Sequence, residues 1–152
     1  MKVQKYITAL LGVFVVSASL NALAAPGCVD LSGDWAGSCL SSPGKTRQEQ
    51  TLIAQRGCRA ITVDGRFFIF GQVIETHVPS GNYNVTYEKF AFNPTGTELQ
   101  YDYVGMYKES RSNNSPVTMS VKTNYAMRNG GLLRTMTDNM TGFSETCTFS
   151  QH

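Results

Sequence analysis

The sequence lacks several patterns that usually accompany catalytic or metal chemistry. Its four cysteines include no Cys-x-x-Cys pair, and at least ten residues separate any cysteine from the next. It has only two histidines and one tryptophan, and it contains neither a Gly-x-Ser-x-Gly elbow nor a glycine loop for phosphate. Because metal centres, redox centres and nucleophile sites usually carry such patterns, the sequence predicts no metal, no cofactor and no enzymatic activity.

Clustered positive charge is also missing once the first residues are set aside. The full chain has 13 basic and 11 acidic residues. Lys2 and Lys5 stand at the very start, so the rest of the chain carries 11 residues of each sign. Since binding to a phosphate backbone needs grouped lysine and arginine side chains, we expect no nucleic-acid partner.

The first 24 residues have the three-part pattern of a secretory signal peptide. Two lysines precede an apolar run over residues 6–16, and small residues then lead to Ala22-Leu23-Ala24. An Ala-x-Ala ending is typical of a cleavage site. Residues 1–24 are therefore predicted to be removed, leaving residues 25–152 as a single domain.

This interpretation places the mature protein in the periplasm or outside the cell. An uncleaved membrane anchor and lipidation at Cys28 are the alternatives to simple cleavage after Ala24. No later segment is apolar over the length that a transmembrane helix needs. We therefore expect no transmembrane segment in the mature chain.

Alternation of apolar and polar residues indicates β-strands throughout the mature chain, and no segment has a sustained helical period. The alternation is clearest over residues 99–108 and 117–128, and Asp64-Gly65 and Asn129-Gly130-Gly131 are hairpin signals. Eight strands are predicted, at residues 33–39, 49–63, 66–78, 83–92, 99–108, 117–128, 132–137 and 143–150. The second is expected to bend at Gly57.

Short turns between eight strands favour an all-β fold, a single eight-stranded antiparallel up-and-down (meander) barrel. Closure into a barrel removes both exposed edges of the sheet. A barrel of this size encloses either a packed core or one small ligand. A two-sheet sandwich has the same periodicity and is the alternative architecture.

The meander predicts how the cysteines pair. If the first hairpin turns near residues 43–45, Cys58 lies close to Cys28 at the start of the first strand. An even number of strands makes the last strand antiparallel to the first, which brings Cys147 beside Cys39. We therefore predict the disulfides Cys28–Cys58 and Cys39–Cys147, one of three possible connectivities. Structural disulfides are typical of small exported domains.

The start of the first predicted strand resembles a known family. The segment Gly33-Asp34-Trp35, with Cys28 just upstream, resembles the opening of the calycin barrels, the lipocalins and avidins. The resemblance covers about ten residues. It implies a calycin-like barrel in which Trp35 plugs one end and packs against a late arginine, for which Arg134 is the candidate by position.

Two departures from the avidin pattern bear on function. Avidins have an asparagine for biotin two places after this tryptophan, where this chain has Gly37. They also surround biotin with several tryptophans, whereas Trp35 is the only tryptophan here. The sequence therefore does not predict biotin binding.

A stripe of tyrosines is the candidate binding surface. Tyr101, Tyr103 and Tyr107 share one face of a predicted strand, and Tyr125 can face them from the next. Such a stripe either lines a pocket for a small hydrophobic or aromatic ligand or fills the barrel with its hydroxyls at the rims. We predict non-catalytic binding of such a ligand, with these four tyrosines as ligand-binding residues.

A protein–protein interaction module, such as an inhibitor of a secreted protease or lysozyme, is the alternative function. Exported bacterial inhibitors of this kind include small disulfide-bonded eight-stranded barrels. The segment Tyr101-Asp102-Tyr103-Val104-Gly105 is similar to half of a lysozyme-inhibitor motif. A partner would then be contacted by loops, at residues 41–47, 79–82 and 110–116.

Overall fold

Ten antiparallel strands make up the part of the chain that the structure, a computed structural model, describes: residues 27–79, 83–108 and 116–152. The predicted signal peptide lies outside these ranges. Within them no helix is long and apolar enough to cross a membrane. The strands are β1 (Gly33–Ser41), β2 (Lys45–Arg56), β3 (Ala60–Val63), β4 (Arg66–Ile69), β5 (Val73–Pro79), β6 (Tyr83–Phe92), β7 (Glu98–Lys108), β8 (Pro116–Arg128), β9 (Gly131–Asp138) and β10 (Ser144–Gln151).

The strands form one sheet that nearly closes on itself. The strand order is β4-β3-β2-β1-β10-β9-β8-β7-β6-β5, so the first strand pairs with the last. β4 reaches β6 because the N–H of Gly71 donates to the carbonyl of Phe90 at 2.7 Å and the rings of Phe68 and Phe90 lie 4.7 Å apart. The predicted all-β antiparallel barrel is confirmed.

The structure has ten strands rather than eight because two glycines reverse the chain where a continuous strand was predicted. Gly57 has a φ of +55° and Gly71 a φ of +79°, values that glycine adopts at little cost. At Gly57 the chain turns back instead of bending, and β3 pairs antiparallel with β2. Near Gly71 the chain leaves β3 and pairs with β6 as β5.

The predicted two-residue hairpins have the geometry that their sequences favour. Asp64 and Gly65 both have positive φ, as do Asn129 and Gly130. Two consecutive positive φ values define the type I′ turn, whose twist matches that of the flanking strands. These turns fix the register of β3 with β4 and of β8 with β9.

The segment before β1 closes one end of the barrel, which we call the closed end. Leu31 is completely buried there, and the N–H of Val29 donates to the carbonyl of Gly96 at 2.8 Å. The amide of Gln55 donates to the carbonyl of Val29 and accepts from the N–H of Leu31. The Cys28–Cys58 disulfide attaches the segment to the β2–β3 turn.

Both predicted disulfides are present. Cys28 bonds to Cys58, and Cys39 bonds to Cys147, the latter pair at a sequence separation of 108. Cys39 and Cys147 stand directly opposite each other on β1 and β10, and both are completely buried. Two disulfides are compatible with an oxidising compartment such as that of an exported protein.

At Gly37 the backbone of β10 comes too close to β1 to leave room for a side chain. A Cβ atom built there would meet the carbonyl oxygen of Thr148 at 2.0 Å and the Cα of Phe149 at 2.7 Å. Both obstacles are backbone atoms, so no side-chain rotation can relieve the clash. Glycine at this position is therefore required by the packing of the two strands.

We expect the Gly37→Ala variant to be destabilised by about 1–3 kcal/mol, because strand β1 must shift to admit the extra methyl group. Urea denaturation of the purified protein measures this directly. Gly27→Ala is the matched control, since a Cβ at Gly27 meets nothing within 4 Å. Equal stability of the two variants would contradict the close approach.

Candidate functional site

On strands β2 and β9 the inward-facing side chains become more exposed from the closed end towards the opposite end of the barrel, which we call the open end. On β2, Ile53 and Thr51 are 2% and 3% exposed. The side chain of Glu49 is 18% exposed and that of Arg47 is 54% exposed. On β9, Leu132 is fully buried and the side chain of Arg134 is 12% exposed. The interior is thus packed at one end and accessible to solvent at the other.

A buried ion-pair cluster lies beside the Cys39–Cys147 disulfide. The guanidinium of Arg134 donates to Glu49 at 2.5 and 2.9 Å and to Glu145 at 3.1 Å. Arg47, nearer the open end, donates to Glu145 at 3.0 and 2.9 Å. Two arginines and two glutamates therefore balance their charges in the middle of the barrel. We call these four residues the arginine–glutamate floor.

The floor contacts the disulfide directly. Nη2 of Arg134 lies 3.0 Å from Sγ of Cys147. The guanidinium also stands over the ring of Phe149, 5.5 Å from its centroid, a distance at which the cation is attracted to the ring. Nε of Arg134 is buried, and no described residue accepts its hydrogen.

A second buried carboxylate, Glu88 on β6, has its own partners. Arg66 on β4 forms an ion pair with it, and the hydroxyl of Tyr101 donates to it at 2.6 Å. Arg66 is itself 60% exposed and lies over the ring of Phe68. The pair joins the β3–β4 hairpin to β6, where the sheet nearly closes on itself.

Burial and hydrogen bonds shift the pKa values of Tyr101, Glu88 and Glu145. Burial raises the pKa of the Tyr101 hydroxyl well above its usual value, and the hydrogen bond to Glu88 adds to this. Burial opposes ionisation of Glu88, but the hydrogen bonds from Arg66 and Tyr101 outweigh it and lower the pKa of the carboxyl. The hydrogen bond from Arg47 lowers the pKa of Glu145 in the same way. Both carboxylates are therefore ionised at neutral pH.

The structure separates the predicted tyrosine stripe into different environments. Tyr101 stacks on Phe90, with ring centroids 4.5 Å apart, and Tyr125 is 7% exposed within the core. Tyr103 is only partly buried and lies nearer the open end, where its hydroxyl would be 2.9 Å from a Cβ at Gly105. The side chain of Tyr107 lies outside the described residues.

Trp35 is buried near the closed end, and Arg134 belongs to the floor. Trp35 is 2% exposed, and its indole N–H donates to the carbonyl of Leu31 at 2.9 Å. Its ring lies against Gly33, where a Cβ would come within 2.9 Å of the indole. Arg134 contacts the other floor residues, the disulfide and the ring of Phe149, and its guanidinium also interacts with the hydroxyl of Tyr125. The glycine of the Gly33-Asp34-Trp35 segment thus makes room for the indole ring.

The two glutamates of the floor and the adjacent disulfide form the one group of potential metal-binding residues found in the described ranges. Atoms of Cys39, Glu49, Glu145 and Cys147 all lie within 4.8 Å of one another. The two sulfur atoms are bonded to each other, and arginines hold both carboxylates. In the oxidised protein this group is therefore a structural cluster and not a set of free metal ligands.

One further titratable pair lies far from the floor. The side chains of Glu75 and His77 are hydrogen-bonded to each other on β5, and both are about half exposed. The sequence places them two positions apart on one strand face, as the structure does.

No family model, curated protein or solved structure matches this chain. The assignment of the barrel and its disulfides is therefore supported by the geometry of this chain alone. Any function has to be inferred from the residues that line the barrel.

Of the four floor residues, only Arg134 was singled out from the sequence. A signal for the floor is present, because Glu145 stands two places before Cys147 and therefore shares its inward face. Glu88 likewise stands two places before Phe90 on β6. Charged residues in phase with buried ones on a predicted barrel strand indicate an internal ion pair.

Proposed function

We propose that this chain is an exported, non-catalytic binding protein with a calycin-like barrel, which holds a small ligand at the open end. The observation that supports the proposal is the rise in exposure of inward-facing side chains from the closed end to the open end. Ligand sites in proteins are usually concave, partly apolar and largely formed before the ligand binds. A barrel that is closed at one end and held there by the Cys28–Cys58 disulfide fits that description.

The residues at the open end favour a ligand with an aromatic or aliphatic body. Tyr103 and Val121 face each other across β7 and β8, and Met119 is the next inward-facing residue on β8. All three are partly exposed. They stand above the floor, whose outermost group is the half-exposed guanidinium of Arg47. An apolar ligand with one acceptor or anionic group would therefore fit this site better than a purely hydrophobic one.

Titration with anilinonaphthalene sulfonate tests the proposal. This probe combines aromatic rings with an anionic group, and its fluorescence rises when it leaves water. We expect saturable binding to the folded protein, weakened about fivefold or more in Tyr103→Ser because the variant loses an aromatic wall. Trp35 is a poor reporter for this site because it is buried at the closed end.

Tyr87→Ser is the matched control because Tyr87 has the opposite orientation on the neighbouring strand β6, outside the barrel. It should leave the binding curve unchanged. Thermal unfolding of both variants separates lost binding from lost folding. Absence of saturable binding, or an equal loss in both variants, would overturn the proposed site.

A further inference from the structure

The outer face of strands β2, β3 and β4 carries an exposed apolar surface. Leu52 is 57% exposed, Phe67 50% and Ile69 48%. Phe67 pairs with Thr62, and Thr62 pairs with Ala54, so these three form one row across the strands. Neighbours in such a row are about 5 Å apart. We call Leu52, Ala54, Thr62, Phe67 and Ile69 the outer patch.

Opposite charges lie at the two ends of the outer patch. Asp34 stands directly across from Leu52, and the carboxylate of Asp64 accepts the N–H of Leu52 at 2.9 Å. Arg56 lies four residues farther along β2, about 13 Å away, in the row that contains Ile69. Arg59 is exposed at the same end.

These charges are available for a partner. No ion pair joins Asp34, Arg56 or Arg59 to another residue in the described ranges. One end of the patch is therefore acidic, the other end is basic, and apolar side chains fill the space between them.

We propose that the outer patch binds a second copy of this chain. A two-fold axis that lies in the plane of the interface, at right angles to the line joining the acidic and basic ends, would place the basic end of one copy over the acidic end of the other. Arg56 of each copy would then meet Asp34 of its partner, and the two sets of Leu52, Phe67 and Ile69 would pack face to face. Such a self-complementary surface is what an isologous dimer requires. The small size of the patch makes this a weak dimer, with a dissociation constant in the micromolar range or above.

Sedimentation equilibrium of the full chain, produced in an oxidising compartment, tests the proposal. Wild-type protein should show a concentration-dependent monomer–dimer equilibrium. Arg56→Glu and Asp34→Arg should each weaken the dimer about tenfold or more, because each places like charges opposite one another twice in the symmetric interface. Phe67→Ser should weaken it as well by removing an apolar contact.

Mixing the two charge variants gives the decisive measurement. In a mixed pair the introduced glutamate of the Arg56→Glu chain faces the introduced arginine of the Asp34→Arg chain. The native Asp34 of the first chain faces the native Arg56 of the second, so attraction returns on both sides. The mixture should therefore dimerise more tightly than either variant alone. A merely structural effect of either substitution cannot produce this recovery.

Leu40→Ser is the control for the apolar change, since Leu40 is also 57% exposed but lies on β1 outside the outer patch. It should leave the equilibrium unchanged. A wild-type protein that stays monomeric up to about millimolar concentration would overturn the proposal. This monomeric behaviour is also the result expected if the patch binds a different protein. A dimer unaffected by the substitutions, or a mixture without recovery, would also overturn it.

Discussion

The Arg134→Met variant is expected to lose about 3 kcal/mol of its free energy of unfolding. Removing one partner of a buried ion pair leaves an uncompensated charge, which typically costs about 3–5 kcal/mol. The lower value applies because Arg47 still contacts both Glu49 and Glu145 when Arg134 is gone. The side chain of Arg134 is only 12% exposed, so water can screen little of the remaining charge.

The loss should depend on pH with a defined sign. The folded-state pKa of Glu145 lies below its usual value of 4.5, so its stabilising contribution is fully present above that pH. The contribution disappears as the pH falls and the carboxyl is protonated in the folded state. The stability difference between wild type and Arg134→Met should therefore shrink below about pH 4.5. Urea denaturation at neutral pH and near pH 4 measures this change.

A variant that removes the carboxylates of Glu49 and Glu145 together with Arg134 provides the control. The triple variant Arg134→Met, Glu49→Gln, Glu145→Gln should recover most of the lost stability, because it leaves no carboxylate in the floor. Its residual pH dependence should be flatter than that of the wild type. If the triple variant is as unstable as the single one, the cost arises from packing and not from charge.

The alternation of apolar residues predicted the antiparallel strands but fitted a two-sheet sandwich as well as a barrel. Closure of an even number of strands into a barrel was the assumption that predicted both disulfides. Cys39 and Cys147 had to meet because the first and last strands pair. The strand count was not predictable in the same way. Gly57 and Gly71 each permit either a bulge or a reversal, and only the partners available to β3 and β5 decide between them.

The candidate site was predicted only in part. Period two placed Tyr101, Tyr103 and Tyr125 on one face of their strands, but periodicity gives no depth along the barrel axis. Their different positions along this axis explain why Tyr125 is buried in the core whereas Tyr103 lies near the open end. The ion pairs depend on long-range contacts that periodicity does not reveal. Glu88 on β6, for example, pairs with Arg66 on β4, and these two strands are not neighbours in the sheet order.

Loss of the Cys39–Cys147 disulfide is expected to have the largest effect of any change considered. The bond joins the first strand to the last across a sequence separation of 108. In the chain-entropy description a loop of this length stabilises the folded state by about 4.8 kcal/mol. The double variant Cys39→Ala, Cys147→Ala should therefore be close to unfolding near physiological temperature, since small domains have only about 5–15 kcal/mol of stability. Thermal unfolding followed by circular dichroism measures the change.

The double variant Cys28→Ala, Cys58→Ala is the comparison. Its loop is shorter, with a sequence separation of 30, which corresponds to about 3.6 kcal/mol. Cys58 lies on the exposed β2–β3 turn, whereas Cys39 and Cys147 are completely buried beside the floor. Truncating the buried pair also removes core contacts and part of the surface against which Arg134 packs, which adds a cavity cost. The Cys39–Cys147 variant should therefore be clearly the less stable of the two. The opposite order would mean that the closed end, held by the Cys28–Cys58 bond, contributes more to the barrel than the junction of its first and last strands.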